Sequence, residues 1–129
     1  MSRLASESSA PGRQSPTPAW TGPAIDLVHL ARQSLGDRAL EMELLSLFER
    51  QAGQILTRLS APAPRDTGWR FDLAHTLTGS ARAVGAFNVA SASEAYGRAV
   101  QNGDSAAALG QLAWAVATAR AMAKDLLDS

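Results

Sequence analysis

With no cysteine and only two histidines, His29 and His75, among its 129 residues, the chain has few side chains that are nucleophilic unaided. Disulfides, thiolate chemistry and cysteine metal sites are excluded, and two histidines are too few for a histidine metal site. No Ser-His-Asp arrangement, carboxylate pair or metal-ligand cluster can be read in the sequence. No glycine-rich strand-to-helix turn suited to ATP appears, so the chain is not expected to be a kinase. An imidazole remains. Its ordinary pKa is about 6.5, so much of it is neutral near physiological pH. A neutral ring nitrogen can attack an activated phosphorus in line and become a phosphohistidine. Such a transfer needs positioning and charge stabilisation more than covalent help.

Around His75 the sequence reads Trp69-Arg-Phe-Asp-Leu-Ala-His-Thr-Leu-Thr-Gly-Ser-Ala-Arg-Ala-Val-Gly-Ala86. On a helix turning about 100° per residue, Leu73, Leu77, Ala81 and Val84 gather opposite His75 and predict the core face. Phe71, Asp72, Thr78, Gly79 and Arg82 fall on the histidine's side, which predicts an imidazole facing solvent. A glycine inside a helix costs about 1 kcal/mol against alanine. Gly79, one turn after His75, thus reads as clearance for a second protein. Phe71 offers that protein apolar contact, Arg82 can hold phosphate oxygens, and Thr78 can donate a hydroxyl hydrogen bond. Asp72 reads as a solvated acid of the first turn, and Trp69 and Trp114 as fillers of the core or bundle ends. His29, followed by Arg32 and Gln33 with no small residue beside it, is expected near the surface without a phosphate role.

The elements that must hold His75 are helices throughout. Alanine and leucine dominate a composition that is 46% hydrophobic and 5% aromatic, which favours helix over strand. A short helix fits residues 24–35, with Leu27, Leu30, Ala31 and Ser34 on one stripe. Gly36 breaks it and Asp37 caps the next. That second helix, about 38–59, has a core stripe of Leu40, Leu44, Leu47, Phe48, Ala52, Ile55 and Leu59. Its opposite face carries Glu41, Glu49, Arg50 and Arg58. The run Ala61-Pro62-Ala63-Pro64 ends it, and Asp66 or Thr67 can cap a third over 68–84, stopped by Gly85. A fourth, about 87–101, uses Val89, Ala92, Tyr96 and Ala99. Asn102-Gly103 closes it and Asp104 or Ser105 opens the last, which places Leu109, Leu112, Val116, Ala119, Ala123 and Leu126 on one face to about residue 127. Short connections between long amphipathic helices predict an all-α, antiparallel up-down-up-down four-helix bundle with a short additional N-terminal helix.

Two units are expected: a Ser/Pro-rich disordered tail over 1–22, where Pro11, Pro16, Pro18 and, at its end, Pro23 preclude a packed core, and a bundle over 23–129. The start lacks the apolar core of a signal peptide and no run is long enough to span a membrane, so a cytoplasmic chain with no membrane partner is expected. Twelve basic residues balance twelve acidic ones. Nucleic-acid binding needs a local excess of Lys and Arg, and no basic run supplies one, so no nucleic-acid partner is expected, although a neutral total can hide a basic face.

The run Ala74-His75-Thr-Leu-Thr-Gly79-Ser80-Ala81-Arg82, followed by Val84-Gly85-Ala86, resembles the signature of the histidine-containing phosphotransfer (HPt) domain, and helix lengths and order are similar, more loosely, over 24–128. The resemblance implies a four-helix bundle of a multistep phosphorelay in two-component signalling. His75 would accept a phosphoryl group from a receiver-domain phospho-aspartate and pass it to another. Gly79 would be the usual small residue one turn on. The partners implied are receiver domains of response regulators or hybrid histidine kinases. The chain would be a monomeric phosphoryl carrier without cofactor of its own, Mg²⁺ residing on the receiver. Two positions depart from the family pattern: Thr78 stands where a lysine is common, with Arg82 the candidate substitute, and Gly97 stands where a larger or acidic residue is common, a matter of packing. The missing lysine keeps a second reading open, a bundle that binds receivers without being phosphorylated.

Overall fold

In the computed structural model, the residues described are 20–61 and 67–129. Among the described residues five helices follow one another: α1 (Leu27–Gln33), α2 (Arg38–Leu59), α3 (Thr67–Val84), α4 (Phe87–Gln101) and α5 (Ala106–Asp128). The four long helices pack antiparallel, with α3 against α4, α4 against α5, α5 against α2 and α2 against α3, while α1 leans on α3. The architecture is the all-α bundle that the spacing predicts. No described helix is long and apolar enough to cross a membrane.

The helix ends follow from local chemistry. Asp26 accepts from the backbone N–H groups of Val28 and His29 and so starts α1 three residues later than expected. The turn after α1 uses two left-handed residues, Leu35 at φ 55° and Gly36 at φ 79°. Asp37 then caps α2 through Leu40 N–H at 3.1 Å. Thr67 is already the first residue of α3, and Asp66, the other candidate cap, lies outside the described residues, as do Pro62 to Pro64.

Gly85 turns the chain from α3 to α4 at φ 83°, and its carbonyl accepts from Asp26 N–H at 2.9 Å. A β-carbon there would stand 2.8 Å from the Asp26 carbonyl oxygen. Gly36 has a similar φ and nothing within 4 Å. Gly36→Ala therefore isolates the backbone penalty of about 1–2 kcal/mol, whereas Gly85→Ala adds displacement of the α1 entry. Urea unfolding should show Gly85→Ala as the more destabilised of the two by at least about 1 kcal/mol. Equal losses would mean that the Asp26 contact yields without cost.

The core is built from small and branched side chains around two aromatic ones, Phe48 and Tyr96: Leu30 on α1, Leu45, Phe48, Ala52, Ile55 and Leu59 on α2, Ala74, Leu77, Ala81 and Val84 on α3, Val89, Tyr96 and Val100 on α4, and Leu112, Val116, Ala119 and Ala123 on α5. Leu45 replaces Leu40 and Leu47, which are 36% and 52% exposed, so the buried stripe of α2 is turned by part of a residue step from the expected one. In α1, Leu27 and Ala31 likewise face water while Leu30 and Ser34 are buried. Glu49 belongs to the α2/α5 seam and not to a solvated face: Arg120 Nε and Nη2 both donate to its carboxylate. Trp114 is 46% exposed and fills no core.

Trp20, inside the stretch expected to be tail, is fixed to the bundle. Its N–H donates to Asn88 Oδ1 at 3.1 Å, its indole Nε1 to Pro23 O at 2.6 Å, and its ring meets Phe87 edge-on. The indole lies over the Gly22 backbone, where a β-carbon would collide with it. Phe87 also meets His29 edge-on, whose Nε2 is buried without a hydrogen-bond partner among the described residues. The remaining residues of the expected tail, 1–19, lie outside the described residues.

Candidate functional site

His75 sits in the middle of α3 with its side chain exposed. Phe71, one turn earlier, lies nearly parallel to it, ring centroids 6.3 Å apart and planes 13° from coincidence. Gly97 on α4 seats the phenyl ring: a β-carbon at that position would approach the Phe71 ring carbons at 3.2 and 3.3 Å. Glycine at position 97 thus has a packing role. Phe71 is half-buried, so only part of it is available as apolar contact for another protein.

Gly79 is exposed, and nothing stands within 4 Å of where its β-carbon would be. Among the described residues no contact requires glycine there, which leaves the helix penalty of about 1 kcal/mol without a reason from their packing. The surface beside the imidazole is open on this side.

Thr78 requires a correction. It is only 3% exposed and its hydroxyl donates to Ala74 O at 2.9 Å, so this donor is satisfied within the helix. The physical reason is the tilt of the buried arc toward α4. On the wheel Thr78 lies about 60° from His75 toward Ala74, and α4 covers that flank, while Ser80 on the other flank reaches Gln51 of α2. The exposed arc therefore runs through Asp72, His75, Thr76, Gly79, Arg82 and Ala83, with His75 near its α4 edge.

Arg82 is exposed, as expected, but already engaged: Nη2 lies 2.7 Å from Glu94 Oε2 of α4, with 56% and 43% of the two side chains accessible. Exposed pairs of this kind contribute about 0–1 kcal/mol, so a doubly charged phosphoryl group could draw the guanidinium away at small cost.

On the α4 side of His75 a cleft of about 210 Å³ is lined by Phe71, His75, Thr78, Ser93, Glu94 and Arg98, among others. Arg98 is exposed and has no hydrogen bond or ion pair from its side chain among the described residues. Ser93 is fully buried and its hydroxyl has no partner among the described residues, which is uncommon for a buried polar group. Both were missed in the sequence. Position 97 was the available signal, since the glycine that admits Phe71 brings its neighbour on α4 to the same cleft. Among the described residues no three His, Asp or Glu side chains cluster to hold a metal ion. Comparison with protein-family models, with curated proteins and with solved structures finds no match for the chain.

Proposed function

We propose that the chain is a phosphoryl carrier of a phosphorelay, accepting a phosphoryl group on His75 from a receiver-domain phospho-aspartate and returning it to another, in the manner of the HPt domains its third helix resembles. The observation that carries this reading is an imidazole exposed at mid-helix with open space at Gly79 one turn away. That geometry suits approach by a second protein's acidic pocket, which would bring the Mg²⁺. In the forward step a ring nitrogen of His75 bonds to phosphorus as the aspartyl oxygen leaves. In the return step the nitrogen is the leaving group. Phe71 limits the ring's motion on one side, and the cations at hand are Arg98 across the cleft and Arg82 once it leaves Glu94.

Incubating the chain with receiver domains phosphorylated on aspartate, under Mg²⁺, tests the proposal. Label on the chain that is acid-labile, alkali-stable and mapped to His75 is the expected outcome. Binding of a receiver without label would instead favour the adaptor reading, for which the buried Thr78 in place of a lysine is the supporting feature.

The two arginines separate by their present partners. Arg98→Ala is expected to shorten the phosphohistidine lifetime several-fold, because it removes a cation that has no competing carboxylate bonded to it. Arg82→Ala should have a smaller effect and cost under about 1 kcal/mol of stability. Hydrolysis of the isolated phosphorylated chain, followed over time, reads both, and a reversed order would assign the stabilising role to Arg82.

A further inference from the structure

The chain's neutral total conceals a basic groove on the α2/α5 seam, away from His75. A cavity of about 550 Å³ is lined by Arg50, Gly53, Gln54, Thr57, Arg58 and Arg120, three guanidinium groups and, among the described residues, no carboxylate. Each arginine is set differently. Arg120 is anchored from beneath by Glu49, which also lies 3.7 Å from Lys124 Nζ. Its guanidinium rests over Gly53, where a β-carbon would stand 2.6 Å from Cζ, so a mid-helix glycine on α2 makes room for this one charged group. Arg58 lies over the Trp69 ring, 5.5 Å from its centroid, which holds the cation in place by its attraction to the π face. Arg50 is exposed and its side chain has no hydrogen bond or ion pair among the described residues. The α5 residue that lines the groove is Arg120 itself, and the carboxylate of Glu49 meets this one arginine of the three, leaving Arg50 and Arg58 without an ion pair among the described residues.

We infer that this groove docks an acidic peptide segment of another protein, a binding function independent of phosphoryl transfer at His75. Its length decides the class of ligand. From Arg50 to Arg58 is eight helical steps, about 12 Å, the span of roughly four extended residues. That is short for nucleic acid, which is bound along a longer run of phosphates and usually with exposed aromatic platforms. The groove is open along its length, whereas small-molecule sites enclose most of their ligand. The chain's own residues 1–19 contain Arg3, Glu7 and Arg13 as their charged side chains, a net positive segment that the arginines would repel.

The test uses the full chain, ¹⁵N-labelled, titrated at low salt with a twelve-residue peptide alternating glutamate and leucine, a glutamine-for-glutamate control peptide and a twelve-nucleotide oligothymidylate. Saturable shifts at Gln54 and Thr57 are expected with the glutamate peptide, at least tenfold weaker binding of the glutamine peptide, and loss of affinity as salt rises. Arg50→Glu combined with Arg58→Glu should weaken the glutamate peptide at least tenfold; where the pair lowers the melting temperature, Arg50→Glu alone serves. No binding, equal binding of the two peptides, shifts centred on His75, or tighter binding of the oligonucleotide would overturn the proposal.

Discussion

His75→Gln is expected to abolish phosphoryl uptake from any phosphorylated receiver, while changing stability by no more than about 0.5 kcal/mol, as for other exposed surface positions. The side chain is exposed and its ring contact within the chain is the stack on Phe71, so little of the fold depends on it. Glutamine keeps a polar side chain but has no nucleophilic ring nitrogen. Gly79→Leu makes the companion case. Leucine is a better helix former than glycine by nearly 1 kcal/mol, and nothing within 4 Å of the new β-carbon opposes it. The variant should therefore unfold at a higher urea concentration than the natural chain and yet transfer phosphate at least about a hundredfold more slowly, a loss worth about 2.7 kcal/mol in the barrier. Stability and transfer moving in opposite directions is the signature of a residue kept for an external partner. Unimpaired transfer in Gly79→Leu would show that the receiver does not approach over that turn.

The second large effect concerns α2. Phe48 is 2% exposed and Leu47 is 52% exposed. Phe48→Ala should cost about 3–5 kcal/mol, the usual penalty for emptying an aromatic site in a core, against a total stability of about 5–15 kcal/mol for a domain. Leu47→Ala should cost under about 1 kcal/mol. Urea unfolding followed by circular dichroism measures both. A comparable loss from Leu47 would mean that its exposed face is covered in solution by something else.

Those adjacent residues also show where periodicity stops being informative. Helical spacing alone identifies α2 as amphipathic and takes in Phe48, Ala52, Ile55 and Leu59, but it does not decide between Leu40 and Leu47 on one flank of the stripe and Leu45 on the other. Which is chosen depends on how α2 sits between α3 and α5. The same holds for α3. The exposure of His75 and Gly79 was legible because Gly79 lies at the centre of a polar arc and His75 just inside its edge. Thr78, a third of a turn or less from both the polar and the buried arcs, was not. Arg82 was correctly placed on the surface, but its bond to Glu94 joins two helices and has no local signature. Arg98 and Ser93 come to the cleft from α4, and only the antiparallel pairing of α3 with α4 brings them near His75. The turns were the best-determined features, because Gly85 and Asp37 act through contacts a few residues long.

The three indoles of the chain are distributed in a way that bears on how it can be observed. Trp20 rests against Phe87, Trp69 lies beneath Arg58, and Trp114 borders a pocket shared with Trp20 between α4 and α5. None of them lines the cleft at His75. Intrinsic fluorescence is therefore a faithful reporter of unfolding and of events along the seams of α5, and a poor witness to the proposed charging of the imidazole, which has to be sought by isotope, mass or phosphorus resonance.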